Sequence, residues 1–190
     1  AATVTGLTGT ATAVNASYAS SGITGLANET VPITGATTAA ADITTANTNT
    51  TGLVTVSSTA ITGTYAEVVA LYATAAPEIT GFGNEAITIT DTSLTVTQAN
   101  AIDALTTGAV TATLSDNDID TLATLTGTGN AYTISVTDTS VSAENLNTLD
   151  SKTTVTIACT STTITGAAAA VNTAYASSGI TGLGSEAVTL

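Results

Sequence analysis

Histidine, arginine, methionine and tryptophan are absent from this chain of 190 residues, and lysine and cysteine each occur once. Cys159 cannot form a disulfide within the chain, and no histidine is present to activate it as a nucleophile. Nucleic acid binding needs Lys and Arg to displace counterions, so Lys152 against 14 acidic residues disfavours it. No P-loop, zinc-binding spacing or Gly-x-Ser-x-Gly sequence occurs. We therefore expect neither an enzyme nor a nucleic-acid-binding protein.

Long apolar runs and signal-peptide features are also lacking. No run of 18 apolar residues occurs, so we expect no transmembrane helix and no membrane insertion. The sequence from Ala1 onward has no basic region followed by an apolar one, which indicates an excised segment or a mature product. The net charge of -13 disfavours anionic membrane surfaces. The composition is typical of an exported bacterial protein, so we expect an extracellular or cell-surface location.

Repetition is the main feature that is present. The nine residues YASSGITGL occur at 18–26 and again at 175–183, and the segments 8–26 and 165–183 agree at 15 of 19 positions. A weaker copy extends from Ile61 to Ile87. About a quarter of all residues are threonine. Such self-similarity predicts a repeat array.

Short β-type runs recur along the chain at regular spacing. They start at Val31, Val54, Ile87, Val110, Tyr132, Val155 and Val188. The pattern predicts a repeat solenoid with one parallel β-strand and a short helix in each rung of about 23 residues. An all-β parallel β-helix is the alternative. A single array would occupy 1–190, with a partial rung at 1–30, rungs starting near 31, 54, 87, 110, 132 and 155, and a partial rung at 188–190.

Alternation within the runs assigns their two faces. The seven starting residues are predicted to form an inward core ladder, and a threonine ladder would face outward: Thr55, Thr88, Thr111, Thr133 and Thr156. Between the runs, Ser142 is a suitable N-cap for a helix with Leu146 and Leu149 on one face. The ranges 65–72 and 167–175 are predicted to be longer, alanine-rich helices.

The two ends of the chain carry copies of one segment, since residues 1–33 correspond to 158–190 at an offset of 157. Each end would expose an unfinished rung without a cap, and uncapped arrays need a partner. We therefore expect the partner to be the same sequence, either as covalent continuation or as an end-to-end homopolymer.

Calcium is the one candidate ligand, and no other cofactor is expected. Oxygen ligands suit Ca²⁺, and the candidate ligands are Asp116, Asp118, Asp91 and Asp138. The alternative is that these aspartates cap helices or close turns through the backbone. Three glutamates follow Ile-Thr-Gly elements and are expected at solvated turn positions: Glu29, Glu85 and Glu186.

Two stretches carry a resemblance to a known group of proteins. Residues 141–154 (VSAENLNTLDSKTT) and 174–190 (AYASSGITGLGSEAVTL) resemble repeats in giant extracellular proteins of marine bacteria, cyanobacteria especially. The resemblance implies a secreted or cell-surface array and no catalytic residues. We expect a structural protein that forms a fibre, filament or cell-surface layer by stacking of rungs. The alternatives are a calcium-dependent adhesin array and, from the threonine ladder, an ice-binding surface.

Overall fold

Short helices alternate with short parallel strands along the chain in the computed structural model, which describes residues 4–190 without the side chains of 75–77. The described residues form an α/β fold with seven helices and several small parallel sheets. They divide into two compact units. The first ends at Thr90 and also contains Leu105–Gly108, and the second contains Asp91–Ala104 and Ala109–Leu190.

The first unit contains three helices and six strands. The helices are α1 (Ala11–Ala19), α2 (Ala40–Asn49) and α3 (Tyr65–Glu78). The strands are β1 (Val31–Ile33), β2 (Thr37–Ala39), β3 (Val54–Val56), β4 (Ala60–Gly63), β5 (Ile79–Thr80) and β6 (Ala86–Ile89). β1, β3 and β5 form one parallel series, and β2, β4 and β6 form another. Val31 pairs with Val54, 23 residues later.

The second unit contains four helices and eight strands. The helices are α4 (Val96–Asp103), α5 (Ile119–Leu122), α6 (Ala143–Asp150) and α7 (Ala168–Ala176). The strands are β7 (Val110–Thr113), β8 (Ala131–Thr133), β9 (Ser135–Val136), β10 (Ser140–Ser142), β11 (Ile157–Cys159), β12 (Thr163–Thr165), β13 (Ile180–Thr181) and β14 (Ala187–Thr189). The pairings are all parallel, with β7 beside β8 and the orders β9-β11-β13 and β10-β12-β14.

Four of the helices, α1, α4, α5 and α6, begin at a residue whose side chain caps them. Ser142 caps α6 by accepting from the Asn145 N–H at 3.3 Å, and Leu146 and Leu149 are fully buried three residues apart. This confirms the predicted helix. The described part of the chain contains no helix with the length and apolarity to span a bilayer.

The predicted solenoid with one strand per rung is wrong. Two strands lie between α1 and α2, and two more between α2 and α3, and the members of each pair belong to different sheets. Between β1 and β2 the chain turns at Gly35, whose φ of +132° suits glycine. The all-β alternative is wrong as well, because helices separate the strand pairs.

The predicted core ladder is only partly correct. Five of its seven residues are fully buried: Val31, Val54, Ile87, Val110 and Tyr132. They do not form one ladder, because Val54 pairs with Val31 and Ile79, whereas Ile87 pairs with Ile61 in the other series. Val155 is only half-buried, since its strand begins at Ile157. Val188 is 48% exposed.

The predicted threonine face is divided for the same reason. All five threonines point outward, as alternation requires. Thr55, however, pairs with Pro32 and Thr80, while Thr88 pairs with Thr62 in the other series. The threonines therefore do not form the single regular array on which the ice-binding alternative depended.

Candidate functional site

The candidate calcium ligand Asp116 accepts a hydrogen bond at the start of a helix. Its Oδ2 lies 2.6 Å from the backbone nitrogen of Val96, the first residue of α4. A carboxylate at this position interacts favourably with the free N–H groups and the helix dipole. Asp91 is exposed and lies in the bend after β6.

The structure places the other two candidates, Asp118 and Asp138, together at the start of α5. Asp118 is the N-cap and accepts from the Thr121 N–H at 2.8 Å. That hydrogen bond is the main reason why the pKa of Asp118 lies below its ordinary value. Asp138 accepts from the Ile119 N–H at 2.8 Å. These hydrogen bonds match the alternative that the aspartates cap helices. Within residues 4–190, no group of three or more acidic, His or Cys side chains is arranged to hold a metal ion. Calcium binding stays a prediction.

A different arrangement recurs three times and involves a tyrosine and a glutamate. Glu29 is fully buried and accepts hydrogen bonds from the Tyr18 hydroxyl and from the backbone N–H groups of Ala27 at 2.8 Å and Asn28 at 3.1 Å. An ionised carboxylate only accepts hydrogen bonds. By accepting from both the helix and the loop that follows it, Glu29 holds this loop against α1. The expectation of a solvated turn position is therefore wrong for Glu29.

The ionisation of this pair follows from its hydrogen bonds. Burial alone raises the pKa of Glu29, but the Tyr18 hydroxyl and the neighbouring N–H groups outweigh it, so the pKa lies below the ordinary 4.5. Burial, together with the hydrogen bond to Glu29, raises the pKa of Tyr18 to about 12. The tyrosine remains a donor and the glutamate an acceptor at neutral pH.

The second copy has the same form. Glu85 is 1% exposed and accepts from the Tyr72 hydroxyl, the Gly83 N–H at 2.9 Å and the Asn84 N–H at 3.0 Å. In the third copy, Glu186 accepts from the Tyr175 hydroxyl at 2.7 Å and the Gly184 N–H at 2.8 Å. The signal that could have identified these pairs was their spacing, since Tyr18–Glu29 and Tyr175–Glu186 are each 11 residues apart.

A Thr-x-Gly segment covers the first two copies. Thr50 donates from its hydroxyl to the Glu29 carbonyl oxygen at 2.8 Å and accepts from the Gly52 N–H at 3.0 Å. A Cβ added at Gly52 would overlap the Glu29 carbonyl oxygen and lie 2.6 Å from its carbon, so this close approach requires glycine. Thr106 and Gly108 form the same contacts at Glu85, with bonds of 2.6 and 3.0 Å.

The third copy is more exposed than the first, although the residues correspond. Glu186 is half-buried, Tyr175 is 40% exposed and Asn172 is exposed. β14 is an edge strand that pairs with β12, and all three of its residues are exposed. We call the surface formed by Asn172, Tyr175, Glu186 and β14 the C-terminal surface.

The matching surface in the first unit is covered by the segment that follows it. Glu29 and Val31 are fully buried there. The cover is residues 40–56: α2 packs on α1, Thr50 bonds to Glu29, and β3 pairs with β1. We call residues 40–56 the covering segment.

Two other places in the described residues bear polar or nucleophilic groups. A cavity of about 390 Å³ in the first unit is lined by Asn47, Thr50, Thr51, Gly52, Leu53 and Glu78. Its carboxylate, Glu78, accepts from the Asn47 amide at 3.1 Å. Cys159 is 2% exposed, and its Sγ lies 3.4 Å from the Ser161 hydroxyl.

Comparisons with protein-family models, with curated proteins and with solved structures gave no match.

Proposed function

We propose that this chain is a structural protein that associates with copies of itself outside the cell into a fibre, a filament or a cell-surface layer. One observation carries the proposal: copies of the repeat stack on one another within the chain, with parallel strands side by side and the segments at Thr50 and Thr106 each closing over a buried glutamate that a tyrosine holds. A parallel stack of this kind can be extended strand by strand, because an edge strand offers unpaired N–H and C=O groups.

The rest of the surface favours growth along the strand edges over lateral association. The net charge is -13, which makes copies repel one another except where specific contacts compensate. The outward threonines hydrate the strand faces without adding charge. An assembly that grows strand by strand would therefore lengthen without aggregating sideways.

The extracellular location rests on the resemblance of residues 141–154 and 174–190 to repeats of secreted bacterial proteins. The composition supports a structural role, because one lysine, no arginine and no histidine leave few groups for catalysis or for binding nucleic acid. A calcium-dependent adhesin is the competing function. The capping bonds of Asp116, Asp118 and Asp138 give it no specific support.

Electron microscopy and sedimentation velocity on the purified chain, with and without chelator, test the proposal. We expect uniform fibres or sheets that persist in chelator. The variant Val188→Lys places a charge on the β14 edge and should abolish them. Ile23→Lys is the matched control, because Ile23 is 46% exposed and lies outside any strand. A wild-type chain that stays monomeric at high concentration would contradict the proposal, and particles that change shape on chelation would favour the adhesin.

A further inference from the structure

We propose that the cavity at the ends of α2 and α3 binds the end of a neutral saccharide. The cavity has a volume of about 390 Å³, and its described lining is Asn47, Thr50, Thr51, Gly52, Leu53 and Glu78. All six residues belong to the first unit. This inference does not depend on the proposed self-association, because the cavity forms within a single chain.

The cavity lies at a place that recurs in the repeat. In three repeats a threonine hydroxyl donates to the carbonyl oxygen of the residue 21 positions earlier, and these threonines are Thr50, Thr106 and Thr153. The residues three positions before them are therefore equivalent, and these are Asn47, Asp103 and Asp150.

In the second unit this place is filled by the loop that follows the next helix. A Cβ added at Gly127 would overlap the Asp103 carboxylate, and a Cβ added at Gly179 would overlap the Asp150 carboxylate. Each carboxylate also accepts a side-chain hydrogen bond of 2.7 Å from the same loop. The loop thus lies directly against the aspartate in both repeats.

The first unit leaves the equivalent place open because α3 is longer. α3 ends at Glu78 and β5 begins at Ile79, so no loop lies between them to pack against Asn47. Instead, Glu78 accepts a hydrogen bond from the Asn47 amide at 3.1 Å. The cavity therefore replaces a loop, and it has a carboxylate and a side-chain amide in its wall.

The lining determines which class of ligand the cavity can accept. Glu78 carries the only charge of the described lining, so the cavity disfavours an anion. The hydrogen bond from Asn47 is made to Oε2 of Glu78, which leaves Oε1 able to accept from a ligand. Thr51 is exposed and Leu53 is 43% exposed. The wall thus offers hydrogen-bond donors, acceptors and one apolar side chain.

A neutral sugar matches this combination better than an amine does. An ammonium group has three donors and no acceptor, so it would use Glu78 and leave the Asn47 amide and the Thr51 hydroxyl without a partner. Sugar hydroxyls both donate and accept, and the C–H face of a sugar ring can cover Leu53. The volume lies near the lower end of the range of about 300–1,000 Å³ for small-molecule sites, which suits the end of a saccharide.

A glycan array carrying neutral, acidic and amino sugars, probed with the full chain in chelator, tests the proposal. We expect retention on neutral terminal sugars. Chelator should have no effect, because the described lining has a single carboxylate and calcium takes about six to eight oxygen ligands. Titration calorimetry with the best-bound neutral sugar then gives the Kd.

Matched variants locate the binding in the cavity. Glu78→Gln removes the charge with little change in shape and should raise the Kd by about tenfold, since it weakens a hydrogen bond to a charged group. Leu53→Ser should also raise the Kd, because it removes the apolar wall. Glu67→Gln is the control: Glu67 is exposed on the same helix, accepts from the Thr64 N–H at 2.8 Å and lies outside the described lining.

The outcomes are distinct from those of the self-association experiment. Binding of a neutral sugar that Glu78→Gln and Leu53→Ser weaken, and Glu67→Gln does not, supports the saccharide site. The site is overturned by absence of neutral-sugar binding, by preference for amino or acidic sugars, by loss of binding in chelator, or by a Kd that Glu78→Gln leaves unchanged. Fibre formation is scored separately by electron microscopy, so failure of the saccharide site leaves the proposed function intact.

Discussion

Gly52 is a position at which a single added methyl group should disturb the fold. A Cβ there would overlap the Glu29 carbonyl oxygen and lie 2.6 Å from the Glu29 carbon and 2.9 Å from the Asn28 oxygen. All three atoms are backbone, so no side chain can rotate away. The Glu29 carboxylate is itself held by Tyr18, Ala27 and Asn28, which prevents this backbone from moving without loss of hydrogen bonds.

The expected cost of Gly52→Ala follows from these contacts. Overpacking costs about 1–3 kcal/mol, and loss of one hydrogen bond around Glu29 adds about 1 kcal/mol. The free energy of unfolding should therefore fall by roughly 2–4 kcal/mol. For a chain of this size, that lowers the melting temperature by roughly 5–15 °C.

Thermal unfolding followed by circular dichroism measures this effect, with Gly22→Ala as the control. A Cβ at Gly22 has the Ser20 hydroxyl as its nearest neighbour at 3.8 Å, and the backbone there is not in the left-handed region. The control should melt within about 2 °C of the wild type. If Gly52→Ala melted with the control, the close approach between the covering segment and Glu29 would be absent.

Three further predictions concern the carboxylates and the core. Because the pKa of Glu29 is lowered in the folded state, its carboxylate stabilises the fold above pH 4.5 and this stability is lost as the pH falls through the lowered pKa; melts from pH 7 to 3 should show a smaller pH dependence for Glu29→Gln, and equal slopes would contradict the assignment. Ile134→Asp should cost about 3 kcal/mol or more, because Ile134 is 2% exposed, whereas Ser135→Asp on the outer face should change unfolding in urea by less than about 0.5 kcal/mol. Asp116→Asn should lower stability by about 0.5–1 kcal/mol with or without calcium, as expected of a helix cap; a calcium-induced rise in melting temperature that this variant abolishes would instead identify Asp116 as a metal ligand.

Local features of the fold were predictable where neighbouring residues determine them. The helix at Ala143–Asp150 follows from a serine N-cap and two leucines three apart, and both leucines are fully buried. The alternation Val54-Thr55-Val56 correctly predicts a strand with an outward threonine. These signals depend on contacts within a few residues, so no tertiary information is needed.

Other strands, which were missed in the sequence, were not predictable in this way. β12, for example, is Thr163-Ile164-Thr165, with one apolar residue between two polar ones. Such a segment is indistinguishable from a loop in sequence, although Ile164 is fully buried. Its strand conformation depends on pairing with Val141 and Val188, which lie 23 and 24 residues away.

The burial of the glutamates at the candidate site was likewise not predictable from the neighbouring residues in sequence. A lone carboxylate in a turn is expected in water because burying an unpaired charge is costly. Glu29 is buried because a helix, a loop and the covering segment supply a hydroxyl, two N–H groups and a close-fitting glycine.

The sequence by itself determined the helices with caps, the alternation of the main strands, the repeated Tyr–Glu spacing and the acidic, threonine-rich surface. Only the tertiary structure decided which strands pair and which copies of the repeat are covered. Val31 and Val188 make the distinction plain, since the same residue in corresponding segments is fully buried in one place and 48% exposed in the other. The physical reason is that burial in a parallel sheet depends on a neighbouring strand more than 20 residues away, which local sequence does not encode.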